Sequence, residues 1–199
     1  MPYTVDALTS DCYPGTTVLV NRFDLKEQEE LGLVEAYLVT AKAAQWEEAP
    51  QCETFDFEHY KAIHRHLFSD LYEWAGNIRT IDISKKGTRF CPVEQIERVG
   101  NAIFQRLQEN DFLRERDHTS FVDGMLDIYE RTNEWHPFRE GNGRTQRVFL
   151  AQLAQNAGYE LDFSSVDADE LMIATIYAAN GMEELLRTLL SQMIKKNPE

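Results

Sequence analysis

The chain has 199 residues and a formal net charge of −14, from 34 acidic and 20 basic side chains. That length makes one ordinary domain with a sizeable core. The acidity excludes a nucleic-acid binder, which needs basic surface to neutralise phosphates, and no apolar run approaches the roughly 20 residues of a membrane span.

Residues 1–23 read as an irregular segment with a turn at Pro14-Gly15. Residues 24–199 read as a single domain. Asp24-Leu25-Lys26-Glu27 has the form of a capping box, and a helix is predicted from there to about Trp46. After a loop with Pro50, Phe57 to Trp74 has apolar residues at helical spacing, with Gly76 as the stop. Arg79 to Ser84 alternates β-branched residues like a short strand; Lys85-Lys86-Gly87 supplies a turn and Thr88-Arg89-Phe90 the return. Pro92 suits a first helical turn, with a helix to about Glu109. Ser120 to Asp123 reads as another cap, opening a helix that reaches about Glu134. A further helix ends near Gly158. Asp167-Ala168-Asp169-Glu170 is a third capping box, and Gly181 divides a last helical stretch running to about Lys195. The sum is a mainly α domain with one β-hairpin. Cys12, Cys52 and Cys91 are scattered, with neither metal spacing nor a disulfide framework, and the N-terminus has no basic-then-apolar signal pattern. This reads as a cytoplasmic protein.

Most of the chemistry lies in one stretch. His136 to Arg147 reads H-P-F-R-E-G-N-G-R-T-Q-R, followed by an apolar run at helical spacing. Gly141-Asn142-Gly143 therefore sits where a loop becomes a helix, and backbone N–H groups there form an anion site. Glycine tolerates positive φ and lets backbone approach a phosphate closely. Asn142 accepts a left-handed conformation and brings a side-chain amide. Arg144 and Arg147 carry planar forks suited to phosphate oxygens. Glu140 is a hard oxygen ligand of the kind that holds Mg²⁺ beside phosphates. His136 brings an imidazole, whose unperturbed pKa lies near neutrality, so its neutral form can take a proton from an attacking hydroxyl. The set implies a nucleoside triphosphate with Mg²⁺ and a base. A Walker loop does not fit, because no Lys-Ser/Thr follows the glycines, and no strand precedes them as a Rossmann fingerprint requires.

As a whole the stretch resembles the Fic family motif, H-x-F-x-D/E-G-N-G-R-x-x-R, and matches it at His136, Phe138, Glu140, Gly141, Asn142, Gly143, Arg144 and Arg147. Leu71 to Arg79 and Ile83 to Phe90 are similar to the family's helix end and hairpin flap, so the resemblance runs from about Asn21 to the C-terminal helix. It implies a Fic-type helical bundle with one β-hairpin flap beside the active site. It also implies a protein adenylyltransferase: AMP passes from ATP to a Ser, Thr or Tyr hydroxyl of a target protein. His136 would be the base and Glu140 the Mg²⁺ ligand. Gly141, Asn142 and Gly143 would cradle the inner phosphates, and Arg144 and Arg147 would bind the outer ones. Lys85 and Asn133 would border the nucleotide, and the adenine would lie against the stretch from Ala174 to Tyr177. The flap, Ser84, Lys85, Lys86, Gly87, Thr88, Arg89 and Phe90, would pair with an extended segment of the target by strand addition.

Many relatives inhibit themselves with a helix bearing Ser or Thr, three residues, then Glu. Here Thr40 is followed by Ala44, and Ser191 by Lys195, at the glutamate position. The resemblance is thus to a toxin-like class whose small antitoxin partner supplies that glutamate. Transfer of another nucleotide or of a phosphoryl group by the same fold, and non-catalytic nucleotide binding, are the alternatives. Relatives that move the γ-phosphate carry Ala-Asn-Lys at 141–143, which favours nucleotidyl transfer here. His59, His64, His66 and His118 read as structural or surface residues, and Trp46, Trp74 and Trp135 as core.

Overall fold

The computed structural model describes residues 11–48, 54–85 and 88–197. Among them are seven α-helices and two small antiparallel strand pairs. They fall into two compact units: Met1–Glu97 with His136–Thr145, and Arg98–Trp135 with Gln146–Glu199.

The first unit opens with a turn that the Asn21 side chain builds. Its oxygen accepts from the N–H groups of Phe23 and Leu25, and its amide donates to the carbonyls of Leu19 and Leu25. That turn puts Asp24 at φ +52, so Asp24 does not cap a helix as the sequence suggested. Helix α1 starts later and spans Gln28–Glu48. It packs on α2, Phe57–Phe68, whose N-cap is Asp56. The buried face of α2 carries Tyr60, Ile63, His64, Leu67 and Phe68, at the i, i+3, i+4 spacing of an amphipathic helix. The predicted helix to Trp74 ends early, at Phe68: the backbone turns at Ser69 and again at Gly76, which has φ +83. The hairpin is also shorter than expected. Strand β1 is Ser84–Lys85 and β2 is Thr88–Arg89, with Ser84 opposite Arg89 and Lys85 opposite Thr88. Lys86, Gly87, Pro50 and Cys52 lie outside the described residues.

A 3-10 turn after Pro92 leads into α3, Ile96–Glu109, which begins in the first unit and continues in the second. Helix α4 spans His118–Trp135. Its first turn is capped by Asp117, which accepts from the N–H and hydroxyl of Ser120; the predicted cap at Ser120 is inside the helix. Helix α5, Asn142–Asn156, begins in the first unit and continues in the second. Gln146 donates to the Tyr129 carbonyl and the Thr132 hydroxyl, fixing α5 against α4. Helix α6, Ala168–Ala178, is capped by Asp167 as the sequence indicated. Helix α7, Glu184–Met193, packs on α4 and α6. The chain then leaves helix at Ile194. Strand β4, Ile194–Lys196, pairs with β3, Tyr159–Leu161, a second strand pair where helix to Lys195 was expected.

Gly100 on α3 is where the Trp135 ring comes closest: a Cβ there would lie 2.4 Å from a ring carbon. Trp135 is fully buried and meets Phe104 edge-on, so the ring has no room to retreat. Gly100→Ala is expected to lower stability by about 1–3 kcal/mol, the usual cost of overpacking. Urea unfolding measures it, and an unchanged midpoint would contradict this packing.

Candidate active site

The first unit gathers His136, Glu140, Gly141, Asn142, Gly143 and Arg144 on one loop and the start of α5. Five carbonyls of the loop are bonded within the protein. The His136 carbonyl accepts from Nε of Arg79 at 2.9 Å, and the Pro137 carbonyl from the Arg79 N–H at 2.8 Å. Phe138 O accepts from Nδ2 of Asn142 at 2.7 Å, Glu140 O faces Nε2 of His64 at 3.0 Å, and Gly141 O accepts from the Thr145 N–H at 3.0 Å. A peptide whose C=O is fixed on one side presents its N–H toward the other. Helix α5 starts at Asn142, so its first N–H groups have no acceptor within the helix. The loop is thereby shaped as an anion site.

Two residues carry the conformational cost. Gly141 has φ +80, and a Cβ there would fall 2.3 Å from the Phe68 ring, so only glycine fits. His136 has φ +40 without being glycine. Such backbone costs roughly 1–2 kcal/mol and persists where its surroundings over-determine it. The imidazole lies flat against the Phe90 ring, 3.8 Å between centroids.

Asn142 is placed differently from the sequence expectation. Its oxygen accepts from the Phe138 N–H at 2.9 Å while its amide donates to the Phe138 carbonyl. Asn142 is buried, and it shapes the loop instead of reaching outward with its side chain.

Glu140 accepts from the Gly141 N–H at 2.8 Å and lies 3.4 Å from Nη2 of Arg144. Burial pushes its carboxyl above the ordinary value; the Glu35 charge adds to this, while the Gly141 N–H, Arg144 and Lys85 oppose it. Lys85 on β1 is half-buried and thus acts on Glu140 electrostatically. Arg144 lies over the Phe68 ring, 4.9 Å from its centroid, a cation–π contact. Its Nη2 also pairs with Glu35 of α1 at 2.5 Å, and the Tyr72 hydroxyl donates to the other Glu35 oxygen. Burial, reinforced by Glu35, pushes the Tyr72 phenol up. Among the described residues no three His, Cys, Asp or Glu side chains converge as a protein-only metal cage. Glu140 and Glu35 share the same arginine.

Arg147, Asn133 and the stretch from Ala174 to Tyr177 belong to the second unit, and the hairpin to the first. Arg147 is exposed on α5 and Asn133 half-buried on α4. Tyr129 shares a hydrogen bond with Thr175 at 2.9 Å; burial pushes its phenol up against that bond and the charge of Arg147. Ala174 is buried, while Ile176 and Tyr177 are exposed. On the hairpin, Ser84, Lys85, Thr88 and Phe90 are half-buried and Arg89 exposed.

Sequence reasoning missed Glu35, Tyr72 and Arg79, and gave His64 only a generic structural role. The available signal for His64 was its place on the apolar stripe of α2. There it is fully buried, stacked on Phe138 at 3.8 Å between centroids. The Gly76 N–H donates to its Nδ1 at 2.8 Å, so the proton sits on Nε2 and points at the Glu140 carbonyl.

The Fic/DOC family profile matches residues 54–154 of this chain. A probable protein adenylyltransferase of Sinorhizobium fredii is 43% identical over 171 residues, covering 85% of this chain and 88% of that one. The probable protein adenylyltransferase Fic of Escherichia coli is 33% identical over 187 residues, covering 94% of this chain and 92% of its own. Among solved structures, the Bartonella tribocorum effector BepC with bound AMPPNP superposes with a TM-score of 0.90 at 26% identity, over 94% of this chain and 97% of that one. The N-terminal Fic domain of a Bartonella quintana effector with bound ADP gives 0.89 at 27% identity, over 94% and 95%.

Burial holds the His64 imidazole down to about 3, far below the 6.5 it has in an unfolded chain. Between those values the unfolded state binds one more proton than the folded one. The stability His64 contributes is therefore full above about 6.5 and is lost as pH falls toward 3. His64→Gln keeps a donor and an acceptor but does not titrate. Denaturant unfolding from about pH 6.5 down to about pH 4 should show a slope shallower by one proton, about 1.4 kcal/mol per pH unit, in the variant. Equal slopes would mean that His64 is not buried as a neutral group.

Proposed function

The chain belongs to the Fic/DOC family, and on that premise we propose that it is a protein adenylyltransferase, moving AMP from ATP to a hydroxyl side chain of a target protein. The observation that carries this reading is the loop from His136 to Arg144. It has its carbonyls bonded inward, its amides at a helix start, and a histidine, a carboxylate and an arginine around it. The relatives' names support it: the S. fredii and E. coli proteins are both named as probable protein adenylyltransferases.

In this reading His136 accepts the proton of the target Ser, Thr or Tyr hydroxyl. The hydroxyl oxygen bonds to the α-phosphorus, the bond from that phosphorus to the bridging oxygen breaks, and pyrophosphate leaves. The amides at Gly141 to Gly143 hold the inner phosphates. Arg144, and Arg147 one turn further along α5, bind the outer phosphates and offset charge on the leaving group. Lys85 adds positive charge beside Glu140, while Asn133 and the stretch from Ala174 to Tyr177 border the nucleoside. Glu140 would hold Mg²⁺, which when bound neutralises phosphate charge. This is catalysis by positioning and electrostatics. The hairpin from Ser84 to Phe90, Lys86 and Gly87 included, pairs with the target backbone. Within this proposal residues 24–199 act as one Fic domain in the cytoplasm. The regulatory glutamate facing Arg147 comes from a small antitoxin, because Ala44 and Lys195 stand at its positions in this chain. No described helix is long and apolar enough to cross a membrane.

Purified protein incubated with cell lysate, Mg²⁺ and ATP labelled at the α- or the γ-phosphate tests the reaction. A labelled protein band from α-label alone is expected, reduced by about 100-fold or more in His136→Ala, as for loss of a general base. A band from γ-label would reassign the chain to phosphoryl transfer. Bound ATP without any band would support non-catalytic binding.

A further inference from the structure

Arg79 is a buried guanidinium that the reaction above does not use; its side chain is wholly inaccessible. It touches three places at once. Nε donates to the His136 carbonyl at 2.9 Å, and its own N–H to the adjoining Pro137 carbonyl at 2.8 Å. Nη1 donates at 2.7 Å to the Ile81 carbonyl, at the root of the strand entering the hairpin. Nη2 donates to the Cys91 carbonyl, at the root of the strand leaving it. Asp82 adds a carboxylate 3.7 Å from Nη1, and the same oxygen accepts from the Val93 N–H.

These bonds bracket the one strained residue of the loop. His136 is held at φ +40 while one donor fixes its own carbonyl and a second fixes the next. A planar guanidinium satisfies three separate carbonyls in fixed directions, which an ammonium on a flexible stem does not. The hairpin root and the histidine are joined a second time, since Phe90, next to Cys91, stacks on the imidazole with 12° between ring planes.

We propose that Arg79 is a positioning residue that locks the root of the hairpin to the backbone of His136, so that a strand docked on the hairpin and the histidine share one register. This rests on the transferase reading. Arg79 touches neither phosphates nor target. It sets where the accepting histidine stands relative to the hydroxyl that the hairpin presents. Without it His136 relaxes toward ordinary φ and its ring swings, while the phosphate cradle keeps its own ties to His64, Asn142 and Thr145.

The test compares full-length wild type with Arg79→Lys and Arg79→Ala. Three readouts are taken: ATP affinity by calorimetry, α-label transfer to lysate proteins at saturating ATP, and ¹⁵N order parameters of the amides of Ile83, Phe90 and His136. In both variants ATP affinity is expected to stay within about twofold. Transfer falls about a hundredfold, the scale of a misplacement near 1 Å. The Ile83, Phe90 and His136 amides loosen together, and added guanidinium partly restores transfer in Arg79→Ala. Transfer at the wild-type level overturns the proposal. So does a loss of ATP affinity matching the loss of transfer, which would make Arg79 a general support of the loop. Should Arg79→Ala fail to fold, the charge-conserving Arg79→Lys carries the comparison. Should wild type transfer nothing, the transferase reading fails, and the order parameters decide the coupling: joint loosening in Arg79→Lys supports it, and unchanged values overturn it.

Discussion

A backbone anion site needs its carbonyls held away from the anion, and that constraint organises this structure. In the cradle the carbonyls of Phe138, Glu140 and Gly141 are taken by Asn142, His64 and Thr145, while Arg79 takes those of His136 and Pro137 ahead of it. Each donor is itself immobile. His64 is stacked between Phe68 and Phe138 and fixed by the Gly76 N–H. Asn142 is tied at both ends of its amide to the backbone of one loop residue, Phe138. Thr145 is buried on α5. The helix start can then present N–H groups outward without rebuilding the loop when an anion arrives, which is what preorganisation means in energetic terms.

The side chains around the loop are less settled than its backbone. Arg144 is shared by Glu35 and Glu140, and Glu35 is also engaged by Tyr72. Two carboxylates sharing one guanidinium, with a phenol on one of them, leave negative charge where a triphosphate would bring more. The Glu140 carboxyl is raised first by burial, and the Glu35 charge adds to it. Backbone rigidity with a contested arginine suits a site that must both order a polyanion and release pyrophosphate.

The sequence made the loop legible because its residues are contiguous: histidine, carboxylate, glycines and arginines all lie within His136 to Arg147. It also showed the Asp167 cap and the breaks near Gly158 and Gly181, where local chemistry decides the outcome. It did not show what holds the loop. His64 is 76 positions from Glu140, and Arg79 is 57 from His136, so neither contact leaves a local period. The cap at Asp24 failed because the Asn21 side chain claims the same stretch for a turn. Ser120 does not cap α4 because Asp117, three residues earlier, offers the same kind of acceptor and is the one that engages. The strand Ile194–Lys196 was hidden because three residues after a helix carry no periodicity of their own; only the partner Tyr159–Leu161 defines it.

The loop is formed before any nucleotide binds. The most direct measurement is the ¹⁵N order parameter of the amides from Phe138 to Arg144 in nucleotide-free protein. Values of about 0.85, those of rigid backbone, are expected, changing little when ATP and Mg²⁺ are added. Values below about 0.6 that rise only with nucleotide would contradict it, and would mean that the ligand, not the scaffold, shapes the loop.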